Sequence, residues 1–335
     1  MNPLRIGLLG AAAITPEAII APARVMPRVT VTRVAARDPA RAEAFAREHG
    51  VPRTDDDYAA LVASDEVDLV YCALPISHHA HWSIRALEAG KHVLCEKPFA
   101  MNETEARAVL EVAERTGRRV IEAFHYRHHP VFATCLEWVR EGLVGTLEQI
   151  TAEFAAPVPI DPADIRSVPA LGGGALMDLG CYPLRWIDDL TDGTARVTGA
   201  SASLAETGVD RAFEVELAFD GGRATAHTAM GAGTGLSIQL HIQGSAGQIR
   251  FRNPLAPQHG AQLELTGTHT QVAPVSAIST YCYQLAEVSE ALASGAPLVN
   301  EGARILRQQR LLDASYRAAG LAQLRASTAF TSTPV

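Results

Sequence analysis

The chain has 335 residues, 47% of them hydrophobic and 20% charged, with a formal net charge of −8 and a pI near 5.8. That length suits two domains better than one core. The acidic balance argues against a nucleic acid or an anionic membrane as partner, since either needs a basic face, and no apolar run approaches the roughly 20 residues that span a bilayer. The five cysteines, Cys72, Cys95, Cys135, Cys181 and Cys282, are scattered and odd in number, with no CxxC spacing. They read as reduced thiols of a cytoplasmic protein. The opening MNPLRIGLLG enters a strand directly, without the basic region, apolar run and cleavage site of a signal peptide.

Over the first part of the chain, strand and helix patterns alternate. LRIGLLG (4–10) is an apolar strand and VTVTRVAA (29–36) a second, rich in β-branched residues. DPARAEAFAREHG (38–50) predicts a helix with Asp38 as N-cap, Pro39 at its first position and Gly50 as its stop. VDLVYCAL (67–74) is a third strand with few polar interruptions, as in a sheet covered on both faces. HAHWSIRALEAG (79–90) predicts a helix, HVLCE a strand, MNETEARAVLEVAERTG (101–117) a helix and RVIEAFH (119–125) a strand. This alternation means a parallel, doubly wound sheet. The pattern then changes. A helix (131–142) leads to TLEQITAEFAA (146–156), which alternates like a strand with one wet face. From 195 to 270 come further strand-like runs joined by tight connections such as DGG at 220–222, the signature of an antiparallel sheet. Helices at 280–294 and 301–319 close the chain, before a polar tail expected to be loose.

Three stretches carry chemistry. GLLGAAAIT keeps Gly10 at the tight turn of a G-x-G-x-x-G dinucleotide fingerprint, with Ala12 and Thr15 at the second and third positions. At the end of the second strand, AARDPARAEAF offers Arg37 and Arg41, one helical turn apart, which suit the 2′-phosphate of NADP. Asp38 would occupy the NAD position, but its place before Pro39 suits an N-cap. A solvated arginine pair is the plain alternative. HVLCEKP sets Glu96 and Lys97 at the carboxyl end of a buried strand, where ligands bind in such sheets. Lys97 could stabilise an alkoxide or move a proton, or simply pair with Glu96. His78, His79 and His81 suggest no metal. The first two face apart, no cysteine or carboxylate completes a ligand set, and His81 opens a helix. Finally GGGALMDLGCYP (172–183) puts three glycines before a helix with Asp178 and Tyr182 at i,i+4, a workable proton relay or merely a hydrogen-bonded tyrosine. WIDDL (186–190) reads as that helix's outer, solvated face.

Together, GLLGAAAI, AARD, ALPISHHAHWSIRALEAGKHVLCEKP, EAFHYRHHP and GGGALMDLGCYP resemble the glucose–fructose oxidoreductase, inositol dehydrogenase and MocA family over most of the chain. The resemblance implies an α/β protein. Residues 1–124 form a Rossmann dinucleotide-binding domain. Residues 125–335 form an α+β substrate-binding and oligomerisation domain with a large, mostly antiparallel sheet, its closing helices free to pack back on the first domain. It implies Lys97 as catalytic lysine, Asp178 as its acidic partner, and Tyr182 where many members have histidine. That tyrosine points to the branch with dihydrodiol dehydrogenase and NADP-dependent xylose dehydrogenase. Cofactor contacts fall on Gly10, Ala12, Ala13, Ile14, Arg37, Arg41, Leu74, Pro75, His79, Glu96 and Lys97, with Arg166 and Tyr283 reaching over from the second domain. Tyr126, Arg127 and Tyr182 would line the substrate site. Ile76 stands where the family often has asparagine, which removes one polar cofactor contact, and Ala12 replaces the second glycine; neither departure removes the chemistry. The implied activity is an NADP(H)-dependent oxidoreductase, with NAD(H) the lesser cofactor, acting on a sugar, cyclic polyol or dihydrodiol. Alternatives are a nicotinamide-dependent glycosidase of the same family and a non-catalytic NADP(H) sensor. A homodimer or homotetramer is expected through the open face of the second sheet, where strands such as LSIQLHI have apolar residues to bury.

Overall fold

The structure is a computed structural model and describes residues 3–268 and 270–326. The tail expected to be loose therefore lies, from 327 onward, outside the described residues. The chain divides into two units: residues up to His125 together with Tyr281–Leu306, and Tyr126–Thr280 together with Arg307–Ala326.

The first unit is built on a parallel sheet of β1 (Leu4–Leu9), β2 (Val29–Ala35), β3 (Arg53–Asp55), β4 (Leu69–Cys72), β5 (His92–Cys95) and β6 (Val120–Glu122), in the order β3-β2-β1-β4-β5-β6. All four residues of β4 are buried, as its unbroken apolar run requires when helices cover both faces. The predicted caps are in place. Asp38 accepts from the Ala40 amide at 3.0 Å ahead of helix Pro39–His49, and Gly50 ends it at φ 73°. The helix after β4 runs Ile76–Glu88, beginning ahead of the predicted 79, because extended Pro75 is its N-cap. Tyr281, Leu285 and Val288 of helix Thr280–Ser294 join Ile6, Leu8 and Tyr71 in the first unit's core.

The second unit is built on β7 (Leu147–Ala156), β8 (Arg196–Leu204), β9 (Asp210–Phe219), β10 (Gly222–Met230), β11 (Ser237–Gly244), β12 (Gly247–Arg252), β13 (Gln262–Gly267) and β14 (Gln271–Val272), in the order β14-β13-β12-β11-β7-β10-β9-β8. Among the described residues, β7 and β10 form its one parallel pair. Asp220 and Gly221 are the two-residue turn between β9 and β10. Ile150, Ala152, Phe154, Ala224, Ala226, Leu240 and Ile242 are buried on one face, where helix Cys181–Leu190 packs on β7 and β10.

Two expectations are corrected here. In LSIQLHI the apolar Leu240 and Ile242 point to the covered face, while Gln239, His241 and Gln243 alternate with them on the other, beside Glu214 and His227, which pair at 3.1 Å. The open face is therefore polar, because a strand of period two has only one apolar side to offer. WIDDL is not a solvated face either: all ten residues of Cys181–Leu190 are buried. Its aspartates are tolerated because each has a cation, Arg307 on Asp188 at 3.2 Å, and Arg127 and Arg185 on Asp189 at 3.2 and 3.5 Å.

Candidate active site

Gly10 ends β1 at φ 97°, and a Cβ there would stand 3.2 Å from the Ala73 carbonyl oxygen, closer than side chains normally pack. Ala12, Ala13 and Ile14 follow, at least partly exposed, and a π turn, Pro16–Ile20, opens the next helix. Its first residue has no N–H, and the Glu17 and Ala18 amides donate to the Ile14 carbonyl at 3.1 and 2.9 Å, so the turn's own start is closed. Arg41 Nη2 donates to the Ala11 carbonyl at 2.9 Å, which fixes its guanidinium beside the loop. Arg37 and Arg41 are both exposed, and the half-buried Tyr58 hydroxyl has its pKa raised by burial against the pull of Arg37 and Arg41. Tyr58 was not foreseen; nothing in its local sequence, DDDYAAL, marks it.

The ends of β4 and β5 lie in register, Cys72 opposite Cys95. Beyond them the Glu96 amide donates to the Cys72 carbonyl at 2.9 Å. The buried Tyr71 hydroxyl donates to Glu96 Oε1 at 2.7 Å. The Lys97 amide donates to Glu96 Oε2 at 3.3 Å, and the Phe99 amide to Glu122 Oε1 at 3.0 Å. The Lys97–Pro98 peptide is cis. The backbone, the half-buried Glu96 and the buried Glu122 thus hold the segment on both sides of the half-buried Lys97. Leu74 is buried and Pro75 half-buried at the neighbouring strand end.

His79 is corrected from cofactor contact to internal clip. It is 1% exposed, and its ring nitrogens lie 3.0 Å from the Pro98 carbonyl and 2.8 Å from the Leu74 carbonyl, so neither is left for a ligand. Burial pushes its pKa down to about 4, against the pull of those two carbonyls. The folded chain also brings cysteines to this histidine, which its sequence neighbours did not suggest. Ligand-type atoms of Cys72, His79 and Cys95 lie within 4.8 Å of one another, the one such cluster among the described residues. The signal was available in two cysteines closing adjacent strands. The ring is already engaged and burial pushes the Cys95 thiol up, so the group is built as packed thiols rather than as thiolate ligands. Among the described residues all five cysteines are free, four of them buried.

In the second unit, Asp178 does not sit on a continuous α-helix. Leu176–Gly180 is a π turn and the α-helix begins at Cys181, so the i,i+4 face predicted for Asp178 and Tyr182 does not apply across the junction. The Asp178 carboxylate accepts from Arg166 Nε at 3.0 Å, and Arg166 also pairs with Asp164 at 3.3 Å. Tyr182 is 5% exposed among aromatic rings: Tyr126 at 5.9 Å, Phe154 at 5.7 Å and Trp186 at 6.5 Å between centroids. Tyr126 is fully buried, and burial with the Asp189 carboxylate keeps its hydroxyl protonated. Arg127, over the Phe132 ring at 5.8 Å, is tied to Asp189. Tyr283, expected from the second domain, belongs to the first unit, because its helix packs there through Tyr281 and Leu285.

The first unit has a glycine turn at a strand end and an ammonium at the edge of its sheet; the second has Asp178 on a π turn and Tyr182 at the start of the helix that follows. Two family models match the chain: the oxidoreductase family with an NAD-binding Rossmann fold over residues 4–124, and the GFO/IDH/MocA C-terminal domain over 132–250. The chain belongs to the Gfo/Idh/MocA oxidoreductase family. An uncharacterized oxidoreductase of Rhizobium meliloti is 34% identical over 95% of this chain and 98% of its own. A D-xylose 1-dehydrogenase (NADP(+)) of Haloferax volcanii is 34% identical over 78% of this chain and 80% of its own. In fold the chain is similar to KijD10, a 3-ketoreductase from Actinomadura kijaniata in complex with NADP and TDP-benzene, with a TM-score of 0.86 and 28% identity over 95% and 98% of the two chains. The chain is thus an NAD(P)-dependent oxidoreductase with sugar-related relatives. No helix among the described residues is long and apolar enough to cross a membrane.

Proposed function

We propose that the chain transfers hydride between NADP(H) and a carbinol or carbonyl carbon of a sugar, cyclic polyol or dihydrodiol. The observation that carries the cofactor choice is at the end of β2. Asp38, the acid in the position that would favour NAD, has its carboxylate on the Ala40 amide, while Arg41 is fixed at the turn by Ala11 and Arg37 is exposed beside it. A guanidinium pair recognises a 2′-phosphate; a carboxylate spent on a helix cap does not recognise a ribose diol. The Gly10 turn fits the group, since it brings bare backbone where a Cβ would crowd the next strand. Gly10, Ala12, Ala13, Ile14, Arg37 and Arg41 would hold the cofactor, and Glu96 and Tyr283 are assigned to its nicotinamide end. When bound, the nicotinamide supplies or takes the hydride.

The remaining roles belong to side chains. Lys97 stabilises negative charge on the substrate oxygen with its ammonium. Tyr182 donates a proton to that oxygen in reduction and takes it in oxidation. Asp178 orients the proton path, and Arg166 holds Asp178. Tyr126 and Arg127 are assigned to shaping the substrate site. The NADP-dependent xylose dehydrogenase and NADP-bound ketoreductase among the relatives support this reading.

The test is a panel of D-xylose, D-glucose and myo-inositol with NADP+ and NAD+, followed by absorbance of the reduced nicotinamide. NADP+ should be preferred, and Lys97→Ala and Tyr182→Phe should each lower kcat by about 10²–10⁴-fold. A preference for NAD+ would overturn the Arg37 and Arg41 assignment; full activity in both variants would overturn the catalytic one.

A further inference from the structure

Asp210, the first residue of β9, is fully buried. Its Oδ2 accepts from the Leu176 amide at 2.7 Å and its Oδ1 from the Tyr316 hydroxyl at 2.7 Å. Leu176 opens the π turn that carries Asp178 and leads into the helix of Tyr182. Two residues earlier Gly174, at φ 125°, lies so close that a Cβ would overlap the Asp210 carboxylate. Tyr316 is itself buried and held, its ring 5.2 Å from Phe213 and 5.7 Å from the Arg325 guanidinium. Arg325 donates to Asp313 and Gln309 at 2.8 Å each and touches the Met177 sulfur, next to Asp178. Two regions far from it in the chain, the start of β9 and residues 309–325, thus converge on residues 174–177.

A buried carboxylate is an expensive way to stabilise a fold. Burial pushes the Asp210 carboxyl up, and the Leu176 amide and Tyr316 hydroxyl only offset this. An apolar residue would fill the volume at less cost. A carboxylate does what an apolar residue does not: it takes one of the partnerless amides at the start of a helical segment and fixes where that segment begins.

We propose that Asp210, held by Tyr316, is a positioning residue for the reaction: through Leu176 it sets the placement of Asp178 and Tyr182. Resting on the assignment of those two as catalytic, it deepens that assignment and does not touch the substrate. Asp210 and Tyr316 lie outside every motif that marked the site in the sequence.

The test compares Tyr316→Phe, Asp210→Asn and Asp210→Ala with Asp178→Asn and Tyr182→Phe in the full chain. Tyr316→Phe keeps the ring and removes one hydrogen bond. It should lower kcat by about 5–20-fold. NADPH affinity, read by fluorescence titration, and substrate KM should stay within about twofold, since positioning acts on the transition state. Amide exchange across 174–182, followed by mass spectrometry, should quicken by about tenfold or more. Asp210→Asn still accepts from Leu176 and should rescue most of the activity that Asp210→Ala loses.

A Tyr316→Phe variant with a lower melting temperature but wild-type kcat would assign Asp210 and Tyr316 to stability alone. Wild-type exchange across 174–182 would overturn the proposal whether or not a substrate has been found. If Asp178→Asn and Tyr182→Phe keep full activity, the catalytic assignment falls instead, and exchange alone then decides whether Asp210 fixes the segment.

Discussion

The stretch around Lys97 and the stretch around Asp178 meet the same need by different means. Each gives a backbone amide to a fully buried carboxylate from another element, Phe99 to Glu122 and Leu176 to Asp210. In the first unit that carboxylate comes from the next strand of the sheet, and the ladder of β4, β5 and β6 has already placed it. In the second it comes from the first residue of β9 and is steadied by Tyr316, 106 residues away in sequence. Lys97 is thus positioned mainly by backbone pairing, Asp178 mainly by side chains. Backbone pairing tolerates substitution, because every residue but proline carries the same amide and carbonyl. Side-chain positioning depends on a few identities.

The contrast can be broken at several points. Gly174→Ala forces a Cβ onto Asp210 at a backbone angle that suits glycine, and should cost about 4 kcal/mol of stability by urea unfolding. Exchange should rise in the second unit first. A loss below about 1 kcal/mol would mean the segment gives way easily. Glu122→Ala leaves the buried Phe99 amide without its acceptor and opens a cavity, for about 3 kcal/mol. With the backbone ladder dominant, the exchange it provokes stays near 96–101.

Next in size is the acid limb of stability. His79 titrates near pH 4 in the folded chain against about 6.5 in the unfolded one. A depressed histidine leaves stability complete above pH 6.5. Stability is then lost as pH falls, because the unfolded chain takes up the proton first. The total reaches on the order of 3 kcal/mol by pH 4. His79→Gln should flatten that difference in denaturant melts taken between pH 7 and pH 4; an unchanged slope would show that the clip does not titrate. The smallest effect is expected at Arg41→Ala, which should raise KM for NADP+ by about tenfold and leave that for NAD+ nearly unchanged.

Much of the first unit was legible because its signals are local. Asp38, Pro39 and Gly50 bound a helix by their own backbone preferences, and β4 announced burial on both faces by lacking polar residues. The glycine turn, Glu96 and Lys97 follow from sheet topology once alternation is recognised. What escaped was long-range or inverted in sense. WIDDL looks solvated until Arg127, Arg185 and Arg307 are seen to neutralise its aspartates. His79 looks like a cofactor contact until its ring nitrogens are seen to lie against two carbonyls, one 19 residues away, to one of which the neutral ring donates. The apolar residues of LSIQLHI were counted rightly and assigned to the wrong face, an error that a one-residue phase makes complete. The π turns at Pro16–Ile20 and Leu176–Gly180 have no compositional mark, since they differ from an α-turn by one residue of slack.

That slack has a consequence for how such a segment can change over time. Each residue in an α-helix advances the azimuth by about 100°. Deleting one residue from Leu176–Gly180 would let the wide turn close to an ordinary one at little local cost and with the flanking segments nearly in phase, because a π turn spreads its extra residue over about the same rotation. What would be lost is spacing: with one residue fewer between the Leu176 amide and Tyr182, Asp178 could not keep its place relative to both. The stretch should accept many changes of letter and almost none of length.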